Sequence, residues 1–186
     1  MQLKNLKTKF LGRNFIYHNK LDSTQSEIWR LIKNNNIING TVLLAEIQTD
    51  GKGTHGRTWY TDEENNIAFS LYITPNCNIK KLEGITLKIA QIITEVFKDQ
   101  YSINLQIKLP NDIVFNGKKV GGILTETQIV SEMVKYLVIG IGVNTNKQRF
   151  NDEIKNIATS IKNEFNINVD TQGFVTEFCN RFEKEM

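Results

Sequence analysis

Apolar positions recur along the chain with two periods, and the switches between them mark out the elements. Residues 15–21 (FIYHNKL) read as a short strand. Asp22, Ser23 and Thr24 then offer capping side chains to a helix carrying Ile28, Trp29, Leu31 and Ile32. The β-branched and apolar run 41–48 (TVLLAEIQ) predicts a strand. A glycine-rich loop follows, and after Arg57, Thr58, Trp59 and Tyr60 a polar stretch leads to another strand at 67–73 (IAFSLYI). Between 83 and 101 the apolar residues Ile85, Ile89, Ile92, Ile93, Val96 and Phe97 have helical spacing. Residues 105–109 resume strand character. Segments 113–115 and 120–126 flank Asn116-Gly117, which predicts a tight hairpin because both turn positions need positive φ. A buried strand at 134–143 (VKYLVIGIGV) and amphipathic helices at 157–165 and 174–182 come next.

Strands that cluster, with helices before, between and after them and no regular βαβ alternation, predict an α+β domain. Its sheet should be mixed or mainly antiparallel, with helices packed on one side. No linker interrupts residues 1–186, so one domain is expected. Of 186 residues, 40% are hydrophobic and 23% charged, an ordinary soluble balance, and no apolar run is long enough to cross a bilayer. MQLKNLKTKF has cations but no apolar stretch behind them, unlike a secretory signal. A cytoplasmic protein without a membrane partner is the expectation, and Cys77 and Cys179 read as free thiols. A net charge of +3 does not call for a nucleic-acid partner.

The loop Gly51-Lys52-Gly53-Thr54-His55-Gly56 formally satisfies G-x-G-x-x-G. The dinucleotide fingerprint requires a helix directly after the glycines, and here a strand pattern comes instead. A kinase glycine loop does lie between strands, but no HRD or DFG element accompanies it, and a Walker triplet is absent. What remains suits phosphate in general. Glycines let backbone N–H groups approach an anion, and Lys52, Arg57 and His55 can offset charge. A solvated surface loop is the alternative.

Lys108-Leu109-Pro110-Asn111-Asp112 opens a second constellation, and the hairpin returns through Lys118-Lys119-Val120-Gly121-Gly122. Glycine pairs weaken a strand that only packs, so Gly121-Gly122 points to close approach of backbone or ligand. A bland hairpin is the competing explanation.

With these residues in view, the chain resembles the catalytic domain of the biotin–protein ligases, whose fold is class II synthetase-like. LDSTQ (21–25), QTDGKGTHGRTW (48–59), KLPNDIVFNGKKVGGIL (108–124) and GIGVNTN (140–146) carry the resemblance in order. It implies activation of biotin by ATP and Mg2+ to biotinyl-5'-AMP, then transfer to a lysine of a biotin carboxyl carrier protein. It implies that Ser23, Thr24, Gln25 and Gln48 hold the biotin ring system, with Lys52, Gly53, Thr54, Lys119, Gly121 and Gly122 completing that subsite. Gly51, Arg57, Trp59, Lys108, Asn111, Asp112 and Asn144 fall at nucleotide positions. Lys119, Lys52 and Arg57 would be the catalytic cations, and Asp112 the magnesium ligand. Helix capping also explains Ser23 and Thr24, and a salt bridge to Asp112 also explains Lys108.

This chain departs from the family pattern where arginines give way to Lys52 and Thr54, and where Leu109 replaces a tryptophan. The lost charge at Thr54 implies weaker retention of the adenylate. No helix-turn-helix precedes residue 15, so no DNA partner is expected. The family's small C-terminal β-domain is expected to be absent, and a homodimer is left open. Two rival readings stand beside the ligase. One is a lipoate or octanoate ligase or transferase, although the arginine-rich triple-glycine block is missing. The other is a non-catalytic module that binds biotin or nucleotide.

Overall fold

A computed structural model describes residues 2–61 and 66–186. Phe15–Leu21 forms β1, which runs parallel to β2 (Val42–Lys52) with Phe15 opposite Val42 and Leu21 opposite Gln48. Parallel neighbours need a crossover, and α1 (Thr24–Lys33) supplies it. Ser23 caps α1, its side chain accepting from the Ser26 N–H at 3.3 Å.

The other pairings along the sheet are antiparallel. β2 pairs with β4 (Ile67–Ile73), β4 with β9 (Met133–Val143), and β9 with β8 (Lys118–Val130). Beyond β8 come β7 (Asp112–Phe115) and β6 (Gln106–Lys108), giving the order β1-β2-β4-β9-β8-β7-β6. Two short strands join this path: β3 (Thr58–Thr61) on β2 and β5 (Cys77–Asn78) on β9. Asn116 and Gly117 take φ of 48° and 78° between β7 and β8, the two positive values that the hairpin signal requires.

Alternation divides the sheet into two faces. Ile67, Phe69, Leu71 and Ile73 of β4, with Leu137, Ile139, Ile141 and Val143 of β9, pack under α2 (Ile85–Tyr101) and α4 (Thr171–Glu185). Phe178 of α4 meets Phe69 edge-on at 5.6 Å between ring centroids. On the opposite face Ile28 and Ile32 of α1 cover Leu43, Tyr72 and Val138. The one-sided helix layer expected above therefore holds for α2 and α4, while α1 crosses to the other face. A helix that connects two parallel strands must lie over one face of the sheet, and α1 covers the face that α2 and α4 leave.

Two segments depart from the sequence reading. Residues 58–61 are strand rather than loop, because Gly51 pairs with Trp59 and Lys52 with Thr58, which lengthens β2 beyond residue 48. The polar residues 62–65 lie outside the described residues. The helix expected from 157 starts only at Ile161, as α3 (Ile161–Phe165). Residues 157–159 are drawn off beside Lys119, whose N–H donates to Ile157 O at 2.8 Å and whose carbonyl accepts from the Thr159 N–H at 2.9 Å. Ile157 is consequently 63% exposed rather than part of an apolar helix face. No helix among the described residues is long and apolar enough to cross a membrane.

Candidate functional site

Where α1 ends its cover of the sheet, a cavity of about 180 Å³ opens on the same face. Its floor is made of glycines. A Cβ at Gly142 would stand 2.3 Å from the Trp59 indole, one at Gly122 3.2 Å from Lys119 Nζ, and one at Gly140 2.7 Å from Gln25 Oε1. Here the missing side chain matters for space rather than for φ: an indole, an ammonium and an amide lie down on the strands. Gly121 does not share this role. Neighbours on a strand point to opposite faces, and a Cβ on Gly121 would meet Ile113 and Val143 on the packed side. Of the two glycines expected together in the biotin subsite, Gly122 lines the cavity and Gly121 does not. Gly51 is likewise outside the cavity wall; its Cβ would fall 2.3 Å from the Trp59 carbonyl, so it allows β3 to close on β2.

One end of the cavity is polar and closed. Gln48 Oε1 accepts from the Thr24 N–H at 2.8 Å and lies within reach of Thr24 Oγ1 at 3.1 Å, while Gln48 Nε2 donates to Thr61 Oγ1 at 3.0 Å. Thr24 Oγ1 also lies 2.9 Å from Ser70 Oγ, which donates to Gln25 Oε1 at 3.0 Å. Ser23, Thr24, Gln25, Gln48 and Ser70 are all buried. Arg30 pairs with Asp22 at 2.6 Å beside this turn, and its guanidinium holds the Asp22 carboxyl down to about 2. That exposed pair fixes the start of α1 more than it adds to stability.

The other end is cationic and open. Lys119 Nζ lies 2.6 Å from Asp112 Oδ1 and 5.8 Å from the Trp59 ring centroid. Asp112 is thus paired with Lys119 and not with Lys108, which overturns the salt bridge offered for Lys108; that lysine is exposed at the end of β6, apart from the cavity wall. Asp112 itself lies behind Lys119, outside the cavity wall. Asn111 Nδ2 donates to Ile123 O at 3.0 Å, and Asn144 Nδ2 to Thr159 O at 3.2 Å, so both are anchored where they line the wall. On the β2–β3 hairpin, Arg57 Nη2 donates to Thr54 Oγ1 at 3.1 Å, and exposed Lys52 pairs with Asp50 at 2.5 Å. Gly53 and Thr54 also face the cavity, whereas His55, with φ of 57°, is exposed at the tip.

Trp59 joins the two ends. Its ring lies over Gly142, and its indole Nε1 is buried without a hydrogen-bond partner, an unspent donor inside the site. Phe150, Ile154, Ile157 and Ala158 supply an apolar wall, and Tyr60 Oη donates to Glu153 Oε2 at 2.9 Å, tying the hairpin to that segment. Among the described residues no three His, Cys, Asp or Glu side chains gather as a metal site.

Sequence reasoning missed several wall residues. Ser70 had a signal: it is the one small polar residue in a strand of apolar and aromatic side chains, and it falls on the cavity-facing parity. Lys147, 4% exposed with its ammonium 5.4 Å from the Phe150 ring centroid, had none, nor had the 150–158 wall. Their positions depend on how the chain returns after β9.

Comparison with known proteins bears directly on this geometry. Residues 17–144 match the model of the biotin/lipoate A/B protein ligase family. The bifunctional ligase/repressor BirA of Bacillus subtilis is 39% identical over 181 residues, covering 96% of this chain and 55% of that protein. Biotin–[acetyl-CoA-carboxylase] ligase of Paracoccus denitrificans is 32% identical over 135 residues, covering 67% of this chain and 52% of its own. Among solved structures, a biotin protein ligase from Aquifex aeolicus in complex with biotin and ATP superposes with a TM-score of 0.77 at 31% identity, covering 92% of this chain and 69% of that one. The chain spans about half the length of the two curated relatives named here.

Proposed function

The chain belongs to the biotin/lipoate A/B protein ligase family, and from that premise we propose that it activates biotin with ATP and transfers it to a lysine of a carrier protein. The observation that carries this reading is the cavity's division: a buried hydrogen-bonding end, an aromatic and glycine floor, and an ammonium at the far end. A bicyclic ureido head suits the first, the valeryl arm the second, and a carboxylate meeting a phosphate the third.

In the first step a carboxylate oxygen of biotin attacks the α-phosphorus of ATP, and the bond to the bridging oxygen of pyrophosphate breaks. At the cationic end of the cavity Lys119 would meet both the reacting carboxylate and the α-phosphate, so its charge would grow more valuable as negative charge builds at phosphorus. Asp112, 2.6 Å from the ammonium, holds it in place before the substrates arrive. Arg57, oriented by Thr54, and Lys52 face the same end from the hairpin. Trp59 and Asn144 offer a flat ring and an anchored amide to the nucleotide.

A magnesium ion fits this site as a companion of the nucleotide, because it takes oxygen ligands from one or two carboxylates together with phosphates, and Asp112 is a carboxylate beside the principal cation. Bound there it would neutralise the leaving pyrophosphate. In the second step the neutral amine of the acceptor lysine attacks the adenylate's carbonyl carbon, an amide bond forms, and AMP leaves with the electron pair. The hairpin and the apolar wall of Phe150, Ile154 and Ile157 keep water from that anhydride.

Biotin-dependent release of pyrophosphate from ATP and magnesium tests the reading, with labelling of an added biotin carrier domain as the second readout. Replacing Lys119 by Ala should lower the rate by about 100-fold or more. Biotin binding without pyrophosphate release would leave a binding module; turnover of lipoate in place of biotin would move the chain to the other branch of its family.

A further inference from the structure

Behind the closed end of the cavity sits a carboxylate that the chemistry above does not use. Glu126 lies on β8 two residues beyond cavity-lining Leu124, on the same side of the sheet. Its Oε2 accepts from Gln25 Nε2 at 2.8 Å and from Trp29 Nε1 at 2.6 Å. Gln25 and Trp29 are four residues apart on α1 and so share a face.

An ionised carboxylate can only accept hydrogen bonds, whereas the two ends of a glutamine amide differ in polarity but hardly in shape. Glu126, at 2.8 Å the shorter of two acceptors for the Gln25 NH2 group beside the Val138 carbonyl at 3.5 Å, therefore sets which way the amide turns: the NH2 group towards β8 and the carbonyl towards Ser70. Ser70, fully buried, then gives its hydroxyl proton to Gln25 Oε1 and turns its lone pairs to Thr24 Oγ1, whose single proton goes to this 2.9 Å contact in preference to Gln48 Oε1 at 3.1 Å. Gln48 is oriented in the same sense by the Thr24 N–H, which leaves an Nε2 hydrogen beyond the one given to Thr61. The hydroxyl protons run away from the cavity towards the carboxylate. Hydroxyl lone pairs and one amide N–H are what this arrangement would offer a ligand.

We propose that Glu126 is a positioning residue that sets the donor and acceptor polarity of the closed end through Gln25 and Ser70, so that a head group bearing N–H donors and one carbonyl is selected. This rests on the biotin reading and deepens it: the ureido group is recognised through a direction of hydrogen bonds imposed from outside the cavity. Were Glu126 absent, Gln25 could turn its NH2 towards Ser70, the row of hydroxyls could reverse, and O–H donors would face the N–H donors of the ureido group. A plain brace between α1 and β8 would contribute to folding but would leave ligand preference untouched.

Steady-state pyrophosphate release separates these roles, read as KM for biotin, KM for ATP and kcat, together with the preference for biotin over an analogue methylated at both ureido nitrogens. In Glu126→Leu, KM for biotin should rise about tenfold or more and the preference should fall by a similar factor, while KM for ATP and kcat stay within about threefold. Glu126→Gln offers its carbonyl to the same two donors and should recover KM for biotin to within about threefold of the wild type. If the leucine variant does not fold, Glu126→Met, of similar length and with no comparable acceptor, gives the same reading. A lowered melting temperature with KM for biotin and preference unchanged overturns the proposal, as does equal impairment in the glutamine and leucine variants. Wild-type protein that shows no biotin-dependent turnover overturns the functional reading and takes this one with it; normal wild-type turnover with an unimpaired leucine variant sinks the positioning role alone.

Discussion

On β4, Ile67, Phe69, Leu71 and Ile73 point into the core beneath α2 and α4, whereas Ser70 points to the cavity and Tyr72 to α1. On β9 the same division sets Leu137, Ile139, Ile141 and Val143 against Val138, Gly140 and Gly142. One face is filled by its own side chains. The other is left low by glycines, and the space above them is taken by Trp59, Gln25 and Lys119. The lesson is that residue size acts in opposite directions on the two faces: the packed face fails when a side chain shrinks, and the open face fails when one grows.

The comparison breaks most readily at Phe69. It is fully buried and meets Phe178, so Phe69→Ala should cost about 3–5 kcal/mol of stability in urea unfolding. The fraction that stays folded should keep its KM for biotin. A loss below about 1 kcal/mol would mean the packed face tolerates a void it should not. Gly142→Ala probes the opposite sensitivity, since the new methyl would intrude on the Trp59 indole at 2.3 Å. Displacing that ring should raise KM for ATP about tenfold with little change in melting temperature. An unchanged KM with a lowered melting temperature would assign the glycine to packing after all. Thr54→Arg has the smallest expected effect. The residue is on a half-exposed hairpin facing the cavity, so folding should not respond. Released biotinyl-adenylate, measured without carrier, should fall about threefold as a second guanidinium is added at the anion end. Release that stays constant would separate Thr54 from retention of the intermediate.

Much of the local structure was legible because it is specified by neighbours in sequence. Asn116-Gly117 takes a turn that few other residues allow, and Ser23 caps α1 from one residue before it. The apolar positions of α2 repeat with the period of a helix and are buried as that period requires. What failed were segments whose conformation is decided by a distant partner. Residues 58–61 become a strand because β2 runs on to meet them, and residues 157–159 stay out of α3 because Lys119 claims backbone groups of Ile157 and Thr159. Tertiary pairing overrides a weak local preference in both cases.

For the candidate site, sequence alone determined which chemical groups are present: the Ser-Thr-Gln turn, the glycine and cation hairpin, and Lys119 beside paired glycines. These could be read because each block is contiguous and its residue types suit one task. Only the tertiary structure decided which of those groups meet. Strand parity put Gly122 into the cavity and Gly121 into the core, and pairing gave Asp112 to Lys119 instead of Lys108. The approach of α1 to β8 brought Glu126 to Gln25 across 101 residues. Hydrogen bonds act over about 3 Å, and the chain reports sequence separation, not distance; a contact between remote segments exists only once the sheet has set its order and register.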